Sequence, residues 1–447
     1  MRIIIVGAGT VGYSIARILS SKHVVIVVER DEKRYEYVMN TLNVGVVNAN
    51  GASPQVLERI LKDDTDLFLA MTESDEANVF ACLVAKKIRP GLRTVVRMRD
   101  RAFIEGSPVV SLLEIDQVLS PELLVATKIW KLAALENAID IDRIPKYDLE
   151  IARFKLTRDT QGVTYIPMQH LPLSKDCRVL CVHRAGETVV LQGDATFQIG
   201  DEIVLIGSQS GIAEFDKLLG STKKPRDILI VGGGLVAQYL IGLFEKEDVS
   251  LRLIEKDEAR CKELAQRFNK VIIINDNGAD PLVLRNENVG MTDVLVCATK
   301  SEESNLLACL VGKHLGVPKT ITTYSKQEYK GIFQMAGIDA AISYHEVVAN
   351  EIVKATVPND CFLLLNGFEE ALVSLKVNAH CRIRGDRFCQ IELPERSTVA
   401  AVVFDGKAKM PNPDGYVMEG DTLLVYADKL DIIALERIFN LDIPVNP

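Results

Sequence analysis

The sequence predicts an α/β protein with two doubly wound parallel sheets, each followed by a small α+β domain. Three observations support this fold class. The 447-residue chain contains an internal duplication, each copy alternates short apolar runs with helical patterns, and each copy then changes to short alternating strands. A chain of this length commonly holds about three or four domains, which agrees with two copies of a two-domain module.

The duplication has a period of about 225 residues. Its clearest segment pairs residues 72–86 (TESDEANVFACLVAK) with 299–313 (TKSEESNLLACLVGK), and nine of those fifteen positions are identical. The segments "IIIVGAGTVG" and "ILIVGGGLVA" match as well. A repeat this long indicates a whole domain copied in tandem rather than a solenoid unit.

Within each copy, strands alternate with helices. The first copy has predicted strands at 2–6, 24–29, 44–48, 66–71 and 94–98, with helices to about 20 and over 33–42, 54–61 and 76–88. The second copy has strands at 228–231, 251–255, 271–275, 293–298 and 320–323. Short apolar strands joined through helices are typical of parallel sheets that are covered on both faces.

Each copy then changes to short strands with turns, from about residue 149 and again from about residue 362. This pattern predicts small α+β modules. The expected domains are 1–140 and 226–356 for the parallel sheets, and 145–221 and 360–447 for the α+β modules, with a linker at 220–227.

Composition excludes several functions. The net charge is −9 and the sequence pI about 5.4, so we expect no nucleic-acid partner, because such proteins usually carry a basic face. The nine cysteines form no CxxC pair and no HExxH occurs, so we expect no metal site. The longest uncharged stretch, 228–244, contains three glycines and falls short of the ~20 apolar residues of a spanning helix.

A glycine-rich loop opens the first helix and predicts a dinucleotide site. It has the pattern G-x-G-x-x-G, formed by Gly7, Ala8, Gly9, Thr10, Val11 and Gly12. The loop follows a strand, and an acid, Glu29, ends the next strand, as in Rossmann domains. Glu29 would accept hydrogen bonds from ribose hydroxyls and favour NAD or an adenosine nucleotide over NADP, although Arg30 is adjacent. Alternatively, the glycines only shape a tight turn.

Further candidates follow the other strands of the first copy. Met71, Thr72 and Glu73 lie at the expected crevice edge, and Asn50 and Gly51 lie where an adenine ring would sit. Arg97, near the end of its strand, is expected to pair with a phosphate. A surface ion pair is the alternative for that arginine.

The second copy contains the equivalent candidates with some departures. They are Gly232, Gly233, Gly234, Leu235, Val236, Glu255, Asn275, Asp276, Ala298 and Thr299. Thr323 replaces Arg97 and cannot pair with a phosphate by charge, so we expect weaker or different binding in this half.

Catalytic residues are harder to find. A dehydrogenase needs a proton donor or acceptor beside the nicotinamide, but His170 and His183 lie in a loop and on an alternating strand, and no triad pattern stands out. We therefore expect a sensor and not an enzyme. An NAD-dependent oxidoreductase with tandem Rossmann domains is the alternative, and a scaffold without ligand is a third.

The order of elements resembles the tandem regulator-of-potassium-conductance (RCK) family. The resemblance is carried by "IIIVGAGTVG", "VVERD", "TESDEAN", "VVR" and "QVLSPE" and covers nearly the whole chain. It implies a cytoplasmic subunit, peripheral on the inner face of the cell membrane, that binds NAD or NADH, or alternatively ATP/ADP, in its Rossmann domains. It also implies a homotetramer, arranged as a gating ring beneath a membrane potassium transporter of the Trk type.

The same resemblance concerns the helix after Ser120-Pro121, "LLVATKIWKLAAL". In the family, such a helix crosses to a second lobe. Packing on its own sheet is the alternative. In the second copy, "ISYHEV" replaces the "VLSPE" segment, which departs from the family pattern.

Overall fold

A computed structural model describes most of the chain as two compact units. The described residues are 1–21, 23–100, 114–157, 160, 162–190, 194–221, 224–356, 370–404, 406–428 and 431–439. The first unit consists of residues 1–124 and 344–356. The second unit contains residues 125–343 and the described part of the chain after 369.

The first unit is built on a parallel sheet in the order β3-β2-β1-β4-β5-β6. Its strands are β1 (Arg2–Val6), β2 (Val24–Glu29), β3 (Gly45–Asn48), β4 (Thr65–Ala70), β5 (Arg93–Arg97) and β6 (Gln117–Leu119). Its connecting helices are α1 (Thr10–Leu19), α2 (Glu32–Thr41), α3 (Pro54–Ile60) and α4 (Asp75–Ile88). The order reverses at β1, which pairs with both β2 and β4, and ligand crevices form at such switch points.

The apolar runs of the sequence form the central strands. Ile3 and Ile5 face one layer of helices and Ile4 faces the other, and all three are fully buried. This two-sided burial explains why the strands are almost continuously apolar. The sheet has a sixth strand, β6, which is too short to have been predicted from periodicity.

A helix from the end of the second copy completes the first unit. This helix is Tyr344–Thr356, and we number it α12 by its place in the chain. Val348 and Ile352 of α12 join the core formed by α1. Ser14 Oγ on α1 lies 2.9 Å from His345 Nδ1 on α12, and both side chains are buried. The prediction that 226–356 forms one domain is therefore corrected at its last helix.

The second unit contains the second parallel sheet, in the equivalent order β14-β13-β12-β15-β16-β17. Its strands are β12 (Asp227–Val231), β13 (Ser250–Glu255), β14 (Val271–Asn275), β15 (Val294–Cys297), β16 (Lys319–Tyr324) and β17 (Ala340–Ser343). Its helices are α7 (Leu235–Phe244), α8 (Glu258–Arg267), α9 (Pro281–Asn286), α10 (Glu302–His314) and α11 (Tyr329–Met335). The fold class of the sequence analysis, two Rossmann-like sheets with small neighbouring domains, is confirmed.

Two antiparallel sheets complete the second unit. The first consists of β7 (Ala138–Ile144), β8 (Leu149–Lys155), β9 (Cys177–Arg184), β10 (Glu187–Val189) and β11 (Glu202–Gly207), with the helix α6 (Gln209–Leu218). The second consists of β18 (Glu370–Lys376), β19 (Ser397–Phe404), β20 (Lys407–Lys409) and β21 (Thr422–Asp428), with the helix α13 (Ile432–Phe439). Both contribute to one apolar core, in which Leu180 and Ile206 of the first sheet pack with Leu372 and Leu424 of the second. The two small domains therefore stabilise each other through their sheet faces.

The helix after Pro121 joins these elements. This helix, α5 (Pro121–Ala133), leaves the first unit after Leu124. Lys128 pairs with Asp140 of β7 at 2.7 Å. Trp130 Nε1 donates to Glu247 Oε1, just after α7, at 3.0 Å. The helix thus reaches the second copy, as the resemblance implied, and the predicted boundary at residue 140 is corrected.

Parts of the predicted last domain, 360–369 and 440–447, lie outside the described residues, as does Cys361. In the described part of the chain, no helix combines the length and apolar character needed to cross a bilayer.

Candidate functional site

A cleft of about 280 Å³ opens beyond the carboxyl ends of β1–β4, at the switch point of the first sheet. We call it the first cleft. It is lined by Val6, Gly7, Gly9, Val28, Glu29, Arg30, Arg34, Ala49, Asn50, Gly51, Ala52, Met71, Thr72, Glu73, Ser74 and Ala77. Nine of the residues predicted from the sequence are therefore brought together here: Gly7, Gly9, Glu29, Arg30, Asn50, Gly51, Met71, Thr72 and Glu73.

The glycine loop is held by close backbone packing. Gly7 has φ +95°, a left-handed conformation that favours glycine, and a Cβ there would lie 3.0 Å from Thr72 Cγ2. A Cβ on Gly12 would lie 1.9 Å from the carbonyl oxygen of Gly7. The loop therefore needs glycine at both positions to make its turn and approach the helix. Ala237 stands at the second position in the other copy.

Glu29 anchors this loop. Its side chain is buried, with only 6% of the residue exposed. Oε2 accepts a hydrogen bond from the Ala8 N–H at 2.6 Å, and Oε1 accepts one from the Asp31 N–H at 2.9 Å. A carboxylate oxygen has two lone pairs, so each oxygen retains acceptor capacity toward the cleft. The carboxylate can accordingly hold the loop in shape and accept ribose hydroxyl donors.

Arg34 is a cleft residue that the sequence analysis missed. Its Nη1 lies 3.7 Å from the place where a Cβ on Gly9 would stand, so the guanidinium lies beside the loop that would approach a phosphate. A guanidinium binds phosphate through charge-assisted hydrogen bonds. The available signal was the repeat itself, because "RDEKR" and "KDEAR" both place an arginine five residues after the acidic position.

The floor of the cleft is tied together by Asn78, which is fully buried. Its Oδ1 accepts hydrogen bonds from the Thr72 hydroxyl at 2.6 Å and the Thr72 N–H at 2.9 Å. Its Nδ2 donates to the carbonyl oxygen of Arg97 at 3.0 Å. The ends of β4 and β5 are thus fixed to the first turn of α4, where the Ser74 hydroxyl caps the helix by accepting from the Ala77 N–H.

The structure places Arg97 differently from the sequence expectation. Its side chain is 10% exposed and does not line the cleft. Instead, Nη2 donates to Glu122 Oε1 at 3.0 Å, and the carboxylate is 9% exposed. Tyr344 lies against this pair, and burial, together with the nearby Glu122 carboxylate, raises the pKa of its hydroxyl. The expected pairing of Arg97 with a phosphate is corrected to a buried ion pair.

Four other predicted residues do not line the cleft: Ala8 lies in the loop, and Thr10, Val11 and Gly12 lie in the first turn of α1. Ala8 contributes its N–H to Glu29, and Val11 is buried in the core behind the loop. In this structure they shape the loop and the start of α1.

The second copy forms a second cleft of about 430 Å³. It is lined by Val231, Gly232, Gly233, Gly234, Ile254, Glu255, Lys256, Asp257, Arg260, Asn277, Gly278, Ala279, Ala298, Thr299, Lys300, Ser301 and Ser304. The anchor is repeated closely: Glu255 Oε2 accepts from the Gly233 N–H at 2.6 Å and Oε1 accepts from the Asp257 N–H at 2.9 Å. Leu235 and Val236, predicted here, do not line it.

The prediction of Asn275 and Asp276 is corrected by two residues. Asn275 ends β14, and its Nδ2 donates to the Glu255 carbonyl oxygen at 3.0 Å. Asn277 is the counterpart of Asn50, because each side-chain oxygen accepts from the N–H two residues later, at 3.1 and 3.0 Å. The offset between the copies grows from 225 residues at Gly7 to 227 residues at Asn50, so a constant spacing misplaces the loop by two residues.

The two histidines that the sequence analysis considered lie outside both clefts. His183, on β9, has its Nδ1 3.7 Å from Glu370 Oε1, and burial lowers its pKa. His170 lies in a short turn of 3-10 helix and is exposed. Within the described ranges, no cluster of three or more His, Cys, Asp or Glu side chains is arranged to hold a metal ion.

Comparison with known proteins identifies the family. The model of the TrkA-N domain matches residues 3–121 and 228–344, and that of the TrkA-C domain matches 163–220. The Trk system potassium uptake protein TrkA homolog 1 of Methanosarcina mazei is 31% identical over 451 residues, covering 98% of this chain and 100% of the relative. The Trk system potassium uptake protein TrkA of Haemophilus influenzae is 26% identical, covering 98% of each chain.

Solved structures agree on the fold. The GsuK RCK domain superposes with a TM-score of 0.63 at 16% identity, covering 98% of this chain and 95% of that one. The GsuK channel bound to NAD superposes with a TM-score of 0.64 at 16% identity, covering 98% of this chain and 79% of that one. With two matched TrkA-N segments, a matched TrkA-C segment and full-length relatives, the chain belongs to the TrkA family.

Proposed function

We propose that this chain is a regulatory subunit of a potassium uptake system that binds NAD(H) or ATP/ADP as a signal. In this proposal four chains form a ring on the inner face of the cell membrane and gate a transporter of the Trk type. The observation that carries the proposal is the first cleft, where Glu29 and the Gly7 turn prepare a nucleotide site at a switch point. The relatives' names as Trk system potassium uptake proteins support the choice of system.

The geometry suits an adenosine nucleotide. Glu29 would accept the ribose hydroxyls, because its oxygens already lie at the cleft and retain lone pairs. The N–H groups that open α1, together with Arg34, would receive the phosphates. Asn50 and Gly51 would border the adenine. The GsuK channel of similar fold was solved with NAD, which agrees with this ligand class.

A bound nucleotide would act on a helix that belongs to the other copy. The loop opens α1, and α1 carries the Ser14–His345 contact and the buried Val348 and Ile352 of α12. A ligand changes a conformational equilibrium only through its differential affinity for the two states. The ordering of the loop is therefore proposed to favour one arrangement of α12 on α1, and thereby of the ring.

The experiment measures ion flux through a Trk-type transporter that is reconstituted with this chain, while the concentrations of NADH, ATP and ADP are varied. Gly9→Glu and Gly234→Glu together should abolish the nucleotide response, because each introduces a carboxylate where a phosphate would approach. The backbone at both glycines is extended, with φ −63° and −68°, so a residue with a side chain is tolerated there. Flux that is indifferent to the chain, or a response that survives both substitutions, would contradict the proposal.

A further inference from the structure

The two clefts share one scaffold but differ in charge. In the first, Thr72 Oγ1 donates to Asn78 Oδ1 at 2.6 Å, and in the second, Thr299 Oγ1 donates to Asn305 Oδ1 at 2.7 Å. The caps of the following helices repeat as well, at Ser74 and Ser301. The backbone after the fourth strand of each sheet is therefore held in the same way in both copies.

On this common scaffold, the residue after the threonine changes sign. Glu73 lines the first cleft and Lys300 lines the second, and both are exposed. The adjacent threonines touch the first glycine of each loop, because a Cβ on Gly7 or Gly232 would lie 3.0 Å from the Cγ2 of Thr72 or Thr299. The opposite charges accordingly lie next to the loops that would approach phosphate.

The other charged positions are largely matched. Glu29, Arg30 and Arg34 correspond to Glu255, Lys256 and Arg260 in sign and place. Among lining side chains, the first cleft has two acids and two bases. The second has two acids and three bases, because Asp257 lines it whereas the equivalent Asp31 does not line the first. Arg260 also forms an exposed ion pair with Glu263 at 3.0 Å, and such pairs are weak and exchangeable.

We propose that Glu73 and Lys300 give the two clefts different ligand preferences: the second cleft prefers the highly charged triphosphate of ATP, and the first prefers the less charged pyrophosphate of a dinucleotide. This inference rests on the proposed function, since it specifies which nucleotide each site takes. The larger volume of the second cleft, about 430 against 280 Å³, adds room for a triphosphate. Ser304, where the first cleft has Ala77, adds a hydroxyl.

The test uses proteins with one open cleft. Gly9→Glu leaves the second cleft open and Gly234→Glu leaves the first, and calorimetry with ATP and NADH gives an affinity ratio for each. We expect the ATP/NADH ratio to be higher for the second cleft. Adding Lys300→Glu to the first protein should lower its ratio about tenfold, and adding Glu73→Lys to the second should raise its ratio by a similar factor.

Two controls separate charge from structural effects. Glu73→Gln and Lys300→Gln should give intermediate ratios, and all differences should shrink at high salt because exposed charges are screened. Lys270→Glu, an exposed position outside both clefts, should leave the ratios unchanged. If the two single-cleft proteins bind nucleotide with equal ATP/NADH affinity ratios, and the charge changes do not alter those ratios, the inference is overturned and the proposed function is not. If the unmodified chain binds no nucleotide, the proposed function itself fails, and this inference with it.

Discussion

Removing one partner of the buried pair between Arg97 and Glu122 should strongly destabilise the first unit. The guanidinium and the carboxylate are 10% and 9% exposed and joined at 3.0 Å. Breaking such a pair leaves an uncompensated charge in the interior, which costs about 3–5 kcal/mol. Arg97→Met or Glu122→Met should therefore lower the midpoint of the first unit's thermal transition by at least about 6 °C.

The double variant provides the decisive comparison. Replacing both partners by methionine removes both charges, and such replacements are often neutral or stabilising. We expect the double variant to recover most of the stability that each single variant loses, as measured by thermal unfolding of all four proteins. Arg93→Met serves as the control, because Arg93 is an exposed arginine at the start of the same strand. Its nucleotide affinity should match that of the unmodified chain because Arg97 does not line the cleft. A loss below about 1 kcal/mol in the single variants, or a double variant that folds but no longer binds, would refute this reasoning.

Three further changes have defined outcomes. Glu29→Gln and Glu255→Gln should each weaken nucleotide binding to their own cleft by about 10–100-fold in calorimetry, because a hydrogen bond to a charged group contributes about 1.5–3 kcal/mol; equal affinity before and after would exclude ribose contact. Gly12→Ala should lower the apparent melting temperature and the nucleotide affinity of the first cleft, because its Cβ would lie 1.9 Å from the carbonyl oxygen of Gly7. In contrast, Ala237→Gly should lower the free energy of unfolding by only about 1 kcal/mol. Burial lowers the pKa of Lys319 to about 8, so the folded state binds its proton less readily than the unfolded state. The free energy of unfolding should therefore decrease as the pH falls from above 10 towards 8. The expected decrease between pH 9.5 and 7.5 is about 2 kcal/mol. Melting of the unmodified chain relative to Lys319→Met across that range measures this, and a constant difference would contradict it.

The architecture of the sheets could be predicted because burial on both faces requires continuous apolar runs. The predicted strands fall within one or two residues of the observed ones, as in β1 (Arg2–Val6) and β14 (Val271–Asn275). The strands β6 and β17 were not predicted, and β6 has only three residues. The exchange of α12 onto the first sheet was not predicted from residue patterns, since an apolar helix face does not specify which core it joins.

The cleft was predicted best where local backbone geometry demands particular residues. Gly7 and Glu29 follow from the turn and its anchor, and both line the first cleft. The pairing of Arg97 depends on Glu122, which is 25 residues away in sequence and adjacent only through the pairing of β5 with β6. Asn277 was misplaced because two inserted residues change the spacing of the repeat without affecting its pattern.

The most direct test of the central claim is equilibrium dialysis of the full chain against NADH and ATP, with chromatography of the retained ligand. We predict retention that disappears when Gly9→Glu and Gly234→Glu are combined, and a ligand that is recovered chemically unchanged. Retention that persists in the double variant, or a nucleotide recovered oxidised or hydrolysed, would contradict it.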